Sequence, residues 1–263
     1  MILTAADRAV LLACYRAAPV LHLSFSFCSP ANDDTNERWH MEIIHGKHTV
    51  HMDAATLAVQ LQGYQGILID LGTGDGRYVH HIAAERPAWF VIGVDACREN
   101  LRQVSRRTLR NVRFAIANAR ALPPELDGVA TEITINFPWG SLLTGLLEHE
   151  QGLLAGLRTL ARPGAVLHVR LNGEAVARTG WDLMAGADVV RYGLHRSGWE
   201  VARPSLLNAA ALRQLPSTWA KRLAYGRDPH ALYLHSTYAA APAEWGGSGI
   251  HLSKGMLAAR RGG

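Results

Sequence analysis

The sequence has few cysteines, few lysines and no long uninterrupted stretch of apolar residues. Its three cysteines, Cys14, Cys28 and Cys97, are far apart and form no Cys-x-x-Cys pair, which argues against a disulfide framework and favours a reducing compartment. No run of about 18 residues is free of charged or helix-breaking residues, which argues against a membrane span. We therefore expect a cytoplasmic protein that does not cross a membrane.

The residues that are present are those of a globular domain with basic character. Hydrophobic residues make up 48% of the 263 residues, which is enough for one sizeable core. The net charge of +5 comes from 24 arginines and three lysines against 22 acidic residues, and it favours an acidic partner. We predict a folded domain over residues 41–240. A poorly ordered extension over 1–40 would precede it, and a flexible tail over 241–263 would follow it.

The spacing of apolar residues from Met41 onward predicts a hairpin and then alternating strands and helices. The segment EIIHGKHTVHM predicts two strands joined by a tight turn at Gly46-Lys47, and Asp53 can cap a helix that ends near Leu61. Strands alternating with helices predict an α/β fold with a parallel, doubly wound sheet. The predicted strands cover 66–72, 89–95, 112–118, 132–138, 165–171, 199–204 and 231–238, and the main helices cover 76–85, 98–109, 142–160 and 181–195.

A glycine-rich loop, IDLGTGDGR, follows the first buried strand and opens a helix. Gly72 and Gly74 let the backbone approach a ligand closely, because no Cβ is in the way. With Gly76 their spacing is tighter than in the dinucleotide-binding fingerprint, and Asp70 lies inside the strand end. The form D-x-G-x-G-x-G resembles motif I of class I methyltransferases that use S-adenosylmethionine (SAM). Asp95, at the end of the next strand, is placed to accept ribose hydroxyls.

Two tryptophans lie in unusual surroundings. Trp139 follows a proline at a strand end, in INFPWGSLL, and Trp219 lies in the basic segment PSTWAKRLAYGR. Proline ends a strand, and open α/β sheets bind ligands at the carboxyl ends of their strands. Two facing indoles would form a slot for a flat base.

These motifs together resemble one family. IDLGTGDGR, VIGVDA, ALPPEL, FPWGSLL and STWAKRLAYGR occur in the order found in the aminoglycoside-resistance 16S rRNA (adenine 1408, N1) methyltransferases, over about residues 41–238. The resemblance implies a class I methyltransferase, with a Rossmann-like seven-stranded sheet and an N-terminal β-hairpin. It also implies SAM as cofactor and the 30S subunit as partner, at the decoding site in helix 44 of 16S rRNA. We expect a monomer.

The resemblance also implies roles for individual residues. Those expected to bind SAM are Asp70, Gly72, Gly74, Asp95, Ala119, Arg120, Asn136 and Ser217. Those expected to be catalytic are Phe137, Trp139, Ser217 and Trp219, with the two indoles on either side of a flipped adenine. For contact with rRNA the resemblance implies Arg222 and Arg227, and the distribution of basic residues adds Arg102, Arg106, Arg107 and Lys221.

The arginines between the second and third strands point independently to RNA. Arg98, Arg102 and Arg106 are spaced i, i+4, i+8, so the predicted helix would present them on one face, as suits a phosphate backbone. A solvated helix face is the alternative. Three histidines around the hairpin, His45, His48 and His51, have no neighbouring carboxylate or cysteine cluster, so we predict no metal site there.

Adenine N1 carries a lone pair at neutral pH, so the predicted reaction needs positioning and no general base. Three alternatives remain open at this stage. Asn136-Phe137-Pro138-Trp139 loosely resembles the N-P-P-aromatic motif of enzymes that methylate exocyclic or amide nitrogens. A shortened segment after the second strand, together with Pro229, would suit a SAM- or RNA-binding protein without catalysis. A methyltransferase acting on a small molecule is the third.

Overall fold

A ten-stranded sheet forms the centre of the computed structural model, which describes residues 41–107, 109–225 and 230–239. The strand order is β2-β1-β5-β4-β3-β6-β7-β10-β8, with the short β9 paired beside β10. The predictions for 1–40 and 241–263 lie outside the described residues. The strands are β1 (Met41–His45), β2 (His48–Met52), β3 (Gly66–Leu71), β4 (Trp89–Asp95), β5 (Val112–Ile116), β6 (Ala130–Asn136), β7 (Ala161–Asn172), β8 (Trp199–Val201), β9 (Ser205–Leu207) and β10 (Ala231–Tyr238).

The seven predicted strands form a continuous core sheet from β5 to β8, and the hairpin β1–β2 extends it at the β5 edge. The predicted parallel sheet is confirmed for the strands from β5 to β7, whereas β10 runs antiparallel to both β7 and β8. The chain leaves β8 at the carboxyl edge of the sheet and stays at that edge until β10 begins. Strand β10 must therefore run back in the opposite direction.

Helices cover both faces of the sheet. Strand β3 is buried along its whole length, since its alternating side chains enter two separate hydrophobic clusters. The helices of the described residues are α1 (Ala54–Leu61), α2 (Arg77–Glu85), α3 (Arg98–Val104), α4 (Gly140–Leu147), α5 (Gln151–Leu160), α6 (Gly173–Arg178), α7 (Leu183–Arg196), α8 (Ala209–Gln214) and α9 (Thr218–Ala224). One cluster includes residues of α1, α4, α5 and α7, and the other includes residues of α2 and α3.

The capped helix after the hairpin is confirmed. Asp53 Oδ1 accepts a hydrogen bond from Thr56 N at 2.7 Å, and α1 ends at Leu61. The helix predicted over 98–109 is too long, because α3 ends at Val104. Ser105 is buried, and its Oγ accepts a hydrogen bond from Gly46 N in the hairpin turn at 2.8 Å. This contact holds the chain in a turn, so Arg106 leaves the helix face that was predicted for it.

The single helix predicted over 142–160 is two helices, α4 and α5. His149 between them has φ 55°, which no α-helix accommodates. Glu150 then caps α5, because its carboxylate oxygens accept hydrogen bonds from the backbone N–H groups of Gly152 and Leu153. A residue with strong helix propensity therefore serves here as an N-cap.

The connection between β8 and β10 is structured. Residues 205–225, which we call the strap, contain β9, α8 and α9 and cross the carboxyl edge of the sheet. The strap is held by a small hydrophobic cluster in which Phe137 packs with Leu212, Ala220 and Ala224. The carboxyl ends of the central strands therefore lie beneath the strap.

Candidate functional site

The end of β6 is shaped by Phe137, which is only 2% exposed and has φ 53°. A positive φ in a bulky residue is uncommon, and here it turns the chain sharply out of the sheet. The ring of Phe137 is buried in the cluster that holds the strap. Trp139 follows as the N-cap of α4, where its half-buried side chain packs against the main hydrophobic core.

A cavity of about 480 Å³ lies at the carboxyl ends of β3, β4 and β6, beneath the strap. Its size lies in the range of small-molecule sites, and its place is the one that open α/β sheets use for ligands. Twelve residues predicted from the sequence line it: Asp70, Gly72, Gly74, Asp95, Ala119, Arg120, Asn136, Phe137, Trp139, Ser217, Trp219 and Arg222.

The glycine loop needs its glycines for two different reasons. Gly74 has φ 56°, and a Cβ built on it would meet no atom within 4 Å, so its backbone is open to the cavity. Gly76 has φ 65°, and a Cβ there would lie 2.8 Å from the side chains of Phe114 and Val104. Gly74 therefore leaves room for a ligand, whereas Gly76 lets α2 pack closely on the sheet.

Asp70 is the buried carboxylate of the site. It is 2% exposed, and its Oδ1 accepts hydrogen bonds from Thr134 Oγ1 at 2.6 Å and from Asn136 Nδ2 at 2.9 Å. Burial raises its pKa to about 6, although these hydrogen bonds and the positive charge of Arg170 act in the opposite direction. At neutral pH Asp70 is therefore ionised, and it is placed to hold a cation in the cavity.

Asp95 joins the glycine loop to the start of α3. Its Oδ2 accepts a hydrogen bond from Gly74 N at 2.8 Å, and its Oδ1 accepts hydrogen bonds from Cys97 N at 2.8 Å and from Asn100 Nδ2 at 3.3 Å. The carboxylate is half-buried and lines the cavity. With only one of these hydrogen bonds on Oδ2, that oxygen keeps a lone pair for a ligand hydroxyl.

Asn136 is held from both sides. Its Nδ2 donates to Asp70, and its Oδ1 accepts a hydrogen bond from Arg170 Nη1 at 2.6 Å. The N-P-P-aromatic alternative requires this oxygen to accept a hydrogen bond from the NH₂ group that is methylated. Arg170 takes one of the two lone pairs of this oxygen, so a methylated NH₂ group would have to share the oxygen with the guanidinium.

The two tryptophans face the cavity together, but their rings touch each other. The ring centroids of Trp139 and Trp219 are 5.2 Å apart at an interplanar angle of 33°. A base between two rings needs centroids about 7 Å apart, twice an ordinary stacking distance. A guanidinium also lies over each indole ring. The guanidinium carbon of Arg178 is 5.3 Å from the ring centroid of Trp139, and that of Arg222 is 5.2 Å from the ring centroid of Trp219.

Trp139 also has a buried Nε1 without a hydrogen-bond partner in the described part of the chain. Buried donors are nearly always paired, so an unpaired one beside a cavity is consistent with a partner supplied by a ligand or by water.

The strap is tied to the glycine loop by one hydrogen bond. Thr218 Oγ1 donates to Asp75 Oδ2 at 2.7 Å. Ser217, the residue before it, is the N-cap of α9, and its Oγ accepts a hydrogen bond from Ala220 N at 3.5 Å. Ser217 therefore serves as a cap as well as lining the cavity, and the strap closes over the glycine loop.

Arg120 lines the cavity from the segment that follows β5. Its Nε forms an ion pair with Glu150 Oε2 at 3.4 Å. Desolvation acts to raise the pKa of Glu150. The hydrogen bonds from the backbone N–H groups that it caps, together with the charge of Arg120, outweigh this effect and lower the pKa. A helix cap thus positions Arg120, and Ala119 next to it offers only a small side chain to a ligand.

Four of the predicted RNA-contacting residues lie outside the cavity. Arg102, Arg106, Arg107 and Lys221 are exposed. The first three form what we call the arginine surface, and the stem of Arg106 lies against the hairpin turn, 3.2 Å from a Cβ built on Gly46. The predictions for Arg227 and Pro229 fall outside the described residues.

Sequence reasoning missed several residues that form the site. Asp75 and Thr218 are far apart in sequence, and only their neighbours were singled out. Tyr78 lines the cavity from α2, and burial raises its pKa to about 12. The glycine loop was the available signal for Asp75 and Tyr78, since helix starts after such loops face the ligand. Arg170 had no sequence signal.

Within the described residues no helix is long and apolar enough to cross a membrane, and no three histidine, cysteine or acidic side chains are grouped to hold a metal ion.

A seven-stranded core sheet, a glycine loop after its first strand, and acidic residues at the ends of its first two strands define a class I SAM-dependent methyltransferase. The cavity fits this cosubstrate, because it combines a buried ionised carboxylate with a glycine backbone open to the ligand. A family profile described as "NpmA: 16S rRNA (adenine(1408)-N(1))-methyltransferase" matches residues 42–238. The chain belongs to this family.

Individual relatives agree with the family assignment. The chain is 31% identical over 205 residues to a 16S rRNA (adenine(1408)-N(1))-methyltransferase of Escherichia coli, over 71% of this chain and 94% of the relative. It is 30% identical to the enzyme of that name from Streptoalloteichus hindustanus, over 72% of this chain and 94% of the relative. The crystal structure of the 16S rRNA methyltransferase KamB superposes with a TM-score of 0.69 at 27% identity, covering 76% of this chain and 100% of that one.

The cosubstrate is represented among the solved structures. A mutant of the 16S rRNA (adenine(1408)-N(1))-methyltransferase from Catenulisporales acidiphilia, in which one tryptophan is replaced by alanine, was solved with SAM. It superposes with a TM-score of 0.64 at 27% identity, covering 76% of this chain and 97% of that one.

Proposed function

We propose that this protein transfers the methyl group of SAM to N1 of adenine 1408 in 16S rRNA of the 30S subunit and so confers resistance to aminoglycosides. The observation that carries the proposal is a cavity that joins a SAM-type half to an aromatic half. Asp70 and Asp95 line the first, and Trp139 and Trp219 line the second. Family membership identifies the base.

The residues of the first half suit the parts of the cosubstrate. Asp70, buried and ionised, would hold the ammonium of the methionine end, and Gly74 leaves its backbone open beside it. Asp95 would accept ribose hydroxyls, and Ala119 with Arg120 would border the adenine. When bound, SAM supplies an electrophilic methyl group on a sulfonium. The cavity walls keep water away from it.

The aromatic half would hold the target base. The lone pair of adenine N1 needs no general base, so the protein contributes alignment and exclusion of water. Stacking is worth about 1–3 kcal/mol per base and would offset part of the cost of extracting the adenine from its helix. The 5.2 Å contact between the indoles means that the strap, which carries Trp219, moves outward by about 2 Å when a base enters.

The arginine surface and the strap would contact the ribosome. Helix α3 begins beside the cavity, and its residue Asn100 lines the cavity wall. The helix has seven residues and is about 10 Å long, and the arginine surface lies towards its other end. Lys221 and Arg222 on α9 lie on the other side of the cavity mouth. We propose helix 44 at the decoding site as the RNA that these residues contact. We also propose that the protein acts in the cytoplasm. It would act as a monomer, because residues of a single chain line the cavity.

Primer extension across the decoding region of 30S subunits tests the proposal. An N1 methyl blocks Watson–Crick pairing, so subunits incubated with enzyme and SAM should give a stop at adenine 1408. Trp219→Ala should abolish the stop, whereas Trp219→Phe, which keeps a stacking ring, should retain part of it. Trp181→Ala, a half-buried tryptophan away from the cavity, is the matched control.

The outcomes separate the remaining alternatives. A stop at another nucleotide would keep the chemistry and refute the target. Methylation of adenine at its exocyclic nitrogen would support the N-P-P-aromatic alternative. SAM binding without methylation of 30S subunits would favour a binding protein or an enzyme with a small-molecule substrate.

A further inference from the structure

Arg170 lies in β7, behind the cavity wall, and reaches the site only through other residues. The β6–β7 register pairs Asn136 with Arg170, and paired residues of neighbouring strands point to the same face of a sheet. Arg170 Nη1 donates to Asn136 Oδ1 at 2.6 Å, and Asn136 Nδ2 donates to Asp70 Oδ1 at 2.9 Å. The three side chains therefore form one chain of hydrogen bonds that ends at the cavity.

The chemistry of the two ends fixes the amide in the middle. An ionised carboxylate can only accept hydrogen bonds, and a guanidinium can only donate them. Asn136 can satisfy Asp70 and Arg170 together only with its NH₂ group towards Asp70 and its oxygen towards Arg170. Without the guanidinium the amide would be free to turn and would present its oxygen to the carboxylate.

The other titratable groups near Asp70 do not supply a positive charge in place of Arg170. Tyr78, which faces the site from α2, has its pKa raised to about 12 and is uncharged at neutral pH. Glu132 on β6 pairs with Arg86 at 2.8 Å and lies 3.4 Å from His168 Nε2. Burial lowers the pKa of His168 to about 4, so this histidine is neutral.

Two further acidic residues lie near the site, Asp95 at the end of β4 and Asp75 on the glycine loop. Neither can supply a positive charge to Asp70. Within the described residues Arg170 is therefore the cation that acts on Asp70, and its charge lowers the pKa of that carboxyl against the effect of burial.

We propose that Arg170 is a positioning residue for SAM: acting through Asn136, it keeps the Asp70 carboxylate charged and oriented towards the cationic methionine end. The identity of the ligand rests on the proposed function, whereas the hydrogen-bond chain rests on the geometry alone. Arg170 itself stays outside the cavity, where its guanidinium also stacks over Tyr233 at 5.3 Å.

The test is the pH dependence of SAM binding, measured by isothermal titration calorimetry between pH 5 and pH 9 on the full chain. In the wild type, affinity should fall as the pH drops below about 6, because protonation removes the charge of Asp70. In Arg170→Met this midpoint should move up by about one pH unit, as loss of a neighbouring opposite charge predicts. The dissociation constant should rise about fivefold near pH 7 and less than threefold at pH 9. Arg170→Lys, which keeps a charge and a donor, should return the midpoint towards that of the wild type.

Two further variants separate positioning from folding. Arg86→Met removes an arginine that pairs with Glu132 on the neighbouring strand, and it should leave the midpoint unchanged. In the double variant Asn136→Leu/Arg170→Met, Asp70 keeps its hydrogen bond from Thr134 and loses the one from Asn136, so the midpoint should rise at least as far as in Arg170→Met. The unfolding temperature of each variant shows whether the domain stays folded under the conditions of the assay.

An unchanged midpoint in Arg170→Met, or an equal change in Arg86→Met, would overturn the inference, as would a wild type that does not bind SAM. Because the assay contains no ribosomes, a wild type that fails to methylate 30S subunits would refute the proposed function and leave this result standing.

Discussion

Asp70 shows how a single buried charge at the candidate site can oppose stability. It is ionised and buried, and its pKa of about 6 lies well above the ordinary value of 3.8. A group whose pKa is raised by folding binds protons more strongly in the folded state. Its contribution to the free energy of unfolding therefore falls as the pH rises from about 4 to about 6, and stays low above that.

We predict that Asp70→Asn stabilises the protein and abolishes SAM binding. The pKa rise corresponds to at most about 3 kcal/mol, so the variant should unfold with a higher free energy at pH 8 and show no advantage at pH 4. Denaturant unfolding at both pH values measures this, and calorimetry should show SAM affinity reduced at least tenfold at pH 8. Asp127→Asn, at an exposed carboxylate, should change neither quantity. An Asp70→Asn protein that is less stable than the wild type at pH 8 would contradict the buried charge.

The strap and the turn after β6 act together at the scale of elements. Phe137 belongs to the turn by sequence, yet its ring packs with Leu212, Ala220 and Ala224 of the strap. The strap is further tied by the hydrogen bond between Thr218 and Asp75. At its start the strap is anchored by the pairing of β9 with β10, whereas the part that carries Trp219 is held by this small cluster and this hydrogen bond. Such a segment is compatible with local opening at a modest cost in free energy.

We predict that Phe137→Ala loosens the strap before it unfolds the domain. Truncation of a buried phenylalanine costs about 3 kcal/mol, and here the loss falls on the cluster under the strap. Hydrogen exchange followed by mass spectrometry should show faster exchange over residues 205–225 than over β3 or β4. Phe114→Ala, in the cluster under α2 and α3, is the matched control and should leave exchange in the strap at the wild-type rate. Equal acceleration in both variants would show that Phe137 supports the whole domain.

At the scale of the whole molecule, basic residues are spread over the surface but concentrated near α3. The arginine surface lies where the hairpin meets the turn after α3. There Gly46 N donates a hydrogen bond to Ser105 Oγ, and the side chain of Arg106 lies against Gly46. Arg106 and Arg107 therefore lie beyond the end of α3, and only Arg98 and Arg102 remain on the helix face predicted for Arg98, Arg102 and Arg106. Such a surface suits the phosphate backbone of RNA. Affinity that comes from phosphate contacts falls as the salt concentration rises, so these contacts can be measured.

We predict that the triple variant Arg102→Ala/Arg106→Ala/Arg107→Ala weakens binding to 30S subunits without changing SAM affinity. Each lost phosphate contact should reduce the slope of log affinity against log salt by about 0.7–0.9, so the slope should fall by about two. Filter binding over a range of salt concentrations measures it. The control Arg158→Ala/Arg196→Ala removes exposed arginines from α5 and α7 and should leave the slope unchanged. No change in the triple variant would identify its arginines as a solvated face.

Local patterns were enough to predict the class of fold and most of the residues around the cavity. The glycine loop, Asp70 and Asp95 lie within or directly after apolar strands, and the carboxyl ends of such strands meet at one edge of a sheet. The hairpin and the cap at Asp53 depend only on neighbours in the chain, and both are confirmed. The family-specific motifs then pointed to Trp139 and Trp219, which the fold brings together.

Tertiary contacts decided what neighbours in the chain do not determine. Helix α3 ends early because the side chain of Ser105 binds the distant hairpin, and β10 runs backwards because the strap stays at one edge of the sheet. Arg170 approaches Asp70 only through the pairing of β6 with β7. The sequence alone determined most of the residues that line the cavity, since many of these lie at strand ends. Only the folded structure decided how their charges and amides are held, because those partners come from strands and loops far apart in the chain.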